Sequence, residues 1–155
     1  MVPVNYLAVF FAAVLSMALG YAWYGPLFGK PWMKLMGITK ESMKGMKGSD
    51  MQKLYGMQFV GSLVMAFVLS HVLVFASKYL GESGVSAGLQ TGFWNWLGFV
   101  APVTLGSVLW EGKSWKLWLL NNGYYLVTLM AMGTVLAVWN NVFLTSKLQA
   151  HIVML

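Results

Sequence analysis

Of 155 residues, 59% are hydrophobic, 15% aromatic and only 9% charged, which leaves too little polar surface to cover a water-soluble domain of this length. The absence of Cys excludes a disulfide framework, thiolate metal sites and a cysteine nucleophile. The net charge of +6 rests on ten Lys with no Arg, so bidentate guanidinium recognition is excluded as well, and the basicity reads as membrane orientation with no nucleic-acid partner.

The first apolar run spans 4–25, whose 22 residues carry no charge and, at about 1.5 Å each, reach roughly the 30 Å of a hydrocarbon core. Nothing basic precedes it, so it reads as a retained helix and not a cleaved leader. Ala12, Ser16 and Gly20 stand four apart, the small-residue spacing that lets two membrane helices approach closely. Tyr21, Trp23 and Tyr24 close the run as an interfacial belt, and Pro26 is expected to break it. The segment 26–55 that follows holds six of the ten Lys and is the one sizeable aqueous stretch. Within it, Pro31 with Trp32, Met33, Leu35 and Met36 beside Lys30 and Lys34 predicts a short helix lying in the interface. Thr39 and Glu41 are set to start a further turn, and Gly45 and Gly48 to loosen the remainder. The methionines of this segment have no Cys or His beside them and read as apolar filler, with no metal or other cofactor implied.

The second run, 56–77, again carries a small face in Ser62, Ala66 and Ser70, and contains His71, six residues inside its far end. An ionisable group at that depth, roughly 9 Å from the surface, is a functional candidate, with structural hydrogen bonding to a neighbouring helix as the alternative. The third run, 87–109, opens with Gly84, Gly88 and Gly92 in step. Asn95 falls at a depth similar to His71 and is expected to pair with it if the helices are antiparallel. Gly98, Pro102 and Gly106 share a face by spacing, and Pro102 should kink the helix, with Thr104 and Ser107 near the freed carbonyls. A turn of six residues, Glu111 to Lys116, leads into the last run, 117–139. Trp110, Trp115 and Trp118 flank this turn as a second belt. Asn121 and Asn122 lie one turn inside, and amides in hydrocarbon must face protein or water. With Gln58 and Thr104 at matching depth, a polar cluster is expected at this face of the bundle. Asn140 and Asn141 are expected to end the helix.

The turns after the first and third runs hold six and two Lys, against one in the middle turn and one in the tail. Eight against two predicts that the long loop and the tight turn are cytoplasmic and both termini outside.

Two stretches, VNYLAVFFAAVLSMALGYAWYGPLFGKPWMKLMGI and GFVAPVTLGSVLWEGKSWKLWLLNNGYYLV, resemble the bacterial membrane family known as domain of unknown function 1761. The most specific elements are WYGPLFGKPW (Trp23 to Trp32) and EGKSWKLWLLN (Glu111 to Asn121). The resemblance covers nearly the whole chain and implies a four-helix membrane protein. It brings no established activity and no catalytic residue.

No catalytic constellation is present: there is no nucleophile elbow, no HExxH, no phosphate-binding Gly loop and no carboxylate inside an apolar run. The sequence therefore predicts an all-α, four-span domain of two antiparallel hairpins in the cell (inner) membrane. Its small-residue faces predict a homo-oligomer or a complex with another membrane protein, and the leading reading is a non-enzymatic accessory component. The rival is a small channel or solute pathway past His71 and Asn95 at one depth and Gln58, Thr104, Asn121 and Asn122 at another. A third class, an enzyme acting on lipid or quinone, would need His71 as its base.

Overall fold

The computed structural model describes residues 4–39, 48–81 and 83–153, and these are helix and connecting turn with no strand among them. Four helices are long and apolar enough to cross a membrane, Tyr6–Leu27, Gly48–Tyr79, Gly84–Leu109 and Trp115–Trp139. The fold is an all-helical polytopic membrane fold. Large apolar side chains face outward along every span, Phe10, Val64, Phe99 and Leu119 among them, as hydrocarbon around the bundle requires.

Helix α1 (Tyr6–Ala22) starts where Asn5 accepts the main-chain N–H groups of Leu7 and Ala8 at 3.1 Å each, satisfying two donors that the first turn leaves free. Its far end corrects the expectation at Pro26. The chain continues without a break into a π-helical turn, Trp23–Leu27, with Pro26 inside it and Phe28 N–H bonded to Trp23 O at 2.8 Å. The wider turn accommodates a residue that has no N–H to give. At Gly29 a Cβ would stand 2.7 Å from Tyr24 O, and the short helix α2 (Gly29–Met36) follows at once. Its Trp32, Met33 and Leu35 are half-buried while Lys30 and Lys34 are exposed, the two-faced helix read from the sequence. Gly37, at φ +66, ends it, and Ile38 N–H returns to Met33 O at 2.9 Å.

The long second span, α3 (Gly48–Leu80), begins eight residues before the apolar run. Gly48 is thus a helical residue and not a loosening one; Asp50 in the first turn suits the positive helix end. Glu41, Met43, Gly45 and Met46, and with them the turn expected after Thr39, lie outside the described residues. The third span is built from α4 (Gly84–Asn95), a second π-helical turn (Trp96–Val100) and α5 (Ala101–Leu109), with Pro102 in the first turn of α5. The last helix, α6 (Trp115–Val153), runs past Asn140 and Asn141 and does not end there.

Helix α6 holds the bundle together. It packs on α4, where Gly88 and Gly92 lie against Gly133 and Leu129. It packs on α1 through Phe11 and Trp139, stacked at 5.1 Å, and through Tyr124, whose hydroxyl donates to Ser16 O at 3.3 Å. Helix α1 packs in turn on α3, with the Ser16 and Ser62 hydroxyls 3.2 Å apart. Along the α4–α6 pairs Gly88/Gly133 and Gly92/Leu129 and the α1–α6 pairs Phe11/Trp139 and Ser16/Tyr124, residue numbers rise on one helix as they fall on the other, so α6 runs antiparallel to both. Ala8, Ala12, Ala66, Leu73, Met132 and Leu136 form the centre of the dry core, which sits in the half of the bundle nearer the α3–α4 connection.

The small-residue faces meet one another inside the chain. Ala12, Ser16, Ser62, Ala66 and Ser70 are buried in the α1–α3 contact and its surroundings, and Gly88 and Gly92 in the contact with α6. Gly84 does not join them: at φ +66 it turns the chain into α4. These faces therefore serve the monomer's own packing, and the reason they offered for an oligomer falls away.

Candidate functional site

The other half of the bundle, toward the α5–α6 turn, is aromatic, hydrogen-bonded and hollow. Trp23 and Tyr24, expected at the lipid interface, turn inward because the π-helical turn re-aims them. Trp23 Nε1 donates to Leu120 O at 3.2 Å, and Tyr24 Oη donates to Asn121 Oδ1 at 3.1 Å. Only Tyr21 of that trio points outward, 77% exposed. Tyr124 packs against both inward rings, with centroids 5.0 Å from Tyr24 and 6.3 Å from Trp23, and its hydroxyl would meet a Cβ on Gly20 at 3.1 Å. Gly20 is thus a seat for Tyr124 and not a contact between helix backbones.

Asn122, 2% exposed, donates from Nδ2 to Thr104 Oγ1 at 3.0 Å and to Trp118 O at 3.1 Å. Thr104 Oγ1 donates to Val100 O at 2.8 Å, and Ser107 Oγ to Thr104 O at 2.8 Å. The hydroxyls near Pro102 thus do bond main-chain carbonyls, and one of them ties α5 to α6. Gly98 lies inside the π-helical turn, and a Cβ on it would meet nothing within 4 Å, so it is not a close-packing position.

Two cavities flank Tyr125. One, of about 410 Å³, lies between α1, α3 and α6 and is walled by tyrosines, Tyr24, Tyr55 and Tyr124 among them, with Gln58. The second, also about 410 Å³, lies between α5, α6 and α2, with Thr104, Asn121 and Asn122 on its walls and Glu111 and Lys113 from the turn. Trp118 lines it too, and the indole N–H of Trp118 is buried with no acceptor among the described residues. Both volumes fall in the range of small-molecule sites.

Of the polar residues singled out from sequence, the structure brings together Thr104, Asn121 and Asn122. Gln58 is exposed in the other cavity, because it sits on the α3 face turned toward α1 and not toward α5. His71 and Asn95 do not pair. His71 Nδ1 bonds Phe67 O at 2.8 Å, and Asn95 Nδ2 donates to Thr91 O at 2.8 Å. Each of these bonds is made one turn back on the residue's own helix. Asn95 lines a small cavity of about 100 Å³ with Gln90 and Thr91, and His71 is not on its walls. Trp23 and Tyr24 were expected at the interface, and Tyr124, Tyr125 and Gly133 were not singled out from the sequence. For Gly133 the signal was present, since it stands four before Ala137 on α6.

The family model described as "Protein of unknown function (DUF1761)" matches residues 7–137. The chain belongs to this family. The match takes in both cavities and every residue discussed at them, so the DUF1761 region and the folded bundle coincide. No curated protein and no solved structure matches the chain.

Proposed function

We propose that this DUF1761 protein is an accessory component of the cell membrane that acts by binding a small molecule at the Lys-rich end of its bundle, with no chemistry of its own. One observation carries the reading: the second cavity, backed by the buried Asn122–Thr104 bridge and rimmed by the charged turn. Buried amides and hydroxyls in an otherwise apolar bundle are costly unless paired, and here they are paired around a hollow of ligand size. The count of eight Lys against two supports an orientation with this end on the cytoplasmic side and both termini outside. The dry layer of Ala66, Leu73, Met132 and Leu136 across the other half speaks for a blind pocket over a continuous channel.

The test is mass spectrometry of the protein extracted in polymer-bounded native membrane discs. A molecule retained by the wild type and lost from Asn122→Leu is the expected result. An identical complement of bound molecules in the two proteins would overturn the reading.

A further inference from the structure

Resting on that reading of the cavity as a binding site, we infer that its ligand is a phospholipid whose headgroup carries a phosphate and a primary ammonium. Three features of the cavity define the ligand. First, its charged rim is of mixed sign: Glu111 and Lys113 stand on either side of Gly112, whose φ of +69 turns the chain between them. Among the described residues neither is held in an ion pair, and both are exposed. A simple anion would gain Lys113 and be repelled by Glu111, whereas a zwitterion satisfies both. Second, the interior offers donors. Asn121 lines the cavity, and with its Oδ1 taken by Tyr24 it keeps its NH₂ for an incoming oxygen. Phosphate and ester oxygens are the acceptors that fit such donors. Third, the wall of the cavity reaches the outward side of a helix long and apolar enough to cross a membrane, where Val103 is 75% exposed.

Lys113 and the inner donors would take the phosphate, Glu111 the ammonium, and acyl chains would leave along Val103. The primary ammonium follows from Glu111, because an –NH₃⁺ group donates hydrogen bonds to a carboxylate and a trimethylammonium cannot. Soluble phosphoethanolamine offers the same headgroup without chains, so the experiment has to separate the two sources.

The full-length protein is incubated with equal amounts of phosphatidylethanolamine, phosphatidylcholine and phosphatidylglycerol and read by native mass spectrometry. The expected result is a preference for phosphatidylethanolamine of about tenfold, the weight of one charge-assisted hydrogen bond. It falls to near parity with phosphatidylcholine in Glu111→Gln, and occupancy by all three lipids falls in Lys113→Gln. Both residues are exposed, and unchanged thermal melting of the variants confirms that the fold is intact. Equal occupancy by the three lipids that Glu111→Gln leaves unchanged would overturn the headgroup assignment while leaving a lipid-binding cavity. Displacement of bound lipid by equimolar phosphoethanolamine would overturn the lipid as the source. A wild type with no more bound lipid than Asn122→Leu would overturn both the assignment and the binding site beneath it.

Discussion

Gly88 and Gly133 meet backbone to backbone where α4 packs on α6: a Cβ on either residue would overlap the main-chain carbonyl of the other. Gly92 repeats the arrangement one turn on, where a Cβ would come within 2.5 Å of Leu129 O. Backbone cannot yield as a side-chain tip can, so the two helices must separate to admit a methyl group. Gly88→Ala is expected to cost about 1–3 kcal/mol or more, the penalty of overpacking a tight interior. Gly61→Ala on α3 is the control: a Cβ there meets nothing within 4 Å, and the change is expected to be neutral or stabilising by up to about 1 kcal/mol. Thermal unfolding of both variants in lipid discs decides between these outcomes.

Asn122 and Thr104 form the side-chain bridge between α5 and α6. A double-mutant cycle of Asn122→Ala and Thr104→Val should return a coupling of roughly 0.6 kcal/mol and at most about 1.7 kcal/mol, the span measured for hydrogen bonds between membrane helices. Thr104 keeps its bond to Val100 O when Asn122 is lost, which holds the value in that range. A coupling indistinguishable from zero would show that the bridge contributes nothing to joining the two helices.

Among the described residues His71 bonds within its own helix, at Phe67 O and against the Phe67 ring at 4.5 Å. His71→Leu is therefore expected to change stability by no more than about 0.5 kcal/mol, as for a side chain outside the packed interior. It should also leave the ligand complement of the purified protein as it is. A large loss in either measurement would return His71 to the functional site.

Lys53 and Tyr79 are exposed near opposite ends of α3, and the chain has no Cys of its own. Single substitutions Lys53→Cys and Tyr79→Cys can thus be labelled with a membrane-impermeant maleimide without background. Tyr79→Cys is expected to react in intact cells and Lys53→Cys only after permeabilisation. The opposite pattern would invert the bundle and put the cavity beside Glu111 outside.

The four spans were legible because hydrocarbon imposes one demand, length and apolarity, which a sequence displays openly. The short amphipathic helix with Lys30 and Lys34 on its wet face was legible for the same reason. Of the small residues read as close-packing faces, Ser16 lies against Ser62 and Gly88 against Gly133, while Gly20 seats Tyr124 and Gly84 turns the chain; spacing cannot say whether the partner is another part of the chain or another molecule. The inward turn of Trp23 and Tyr24 was hidden, since an aromatic near the end of a span looks the same in sequence whether it faces headgroups or protein. His71 and Asn95 misled because depth was judged without direction around the helix. The pairing of Thr104 with Asn122 was within reach because both sit close to a six-residue turn that fixes the register of its two arms.

The π-helical turn Trp96–Val100 sets length against phase in the third span. That span is 26 residues long, about 39 Å of rise against the roughly 30 Å that the hydrocarbon needs, so removing one residue from the turn would leave it ample reach. The same deletion would rotate everything after it by about 100° relative to what precedes it. Gly88 and Gly92 would keep their seats on α6 while Thr104 swung away from Asn122 and Val103 away from the lipid. The single extra residue therefore acts as an angular offset, letting one continuous span present a packing face at one end and a cavity wall at the other.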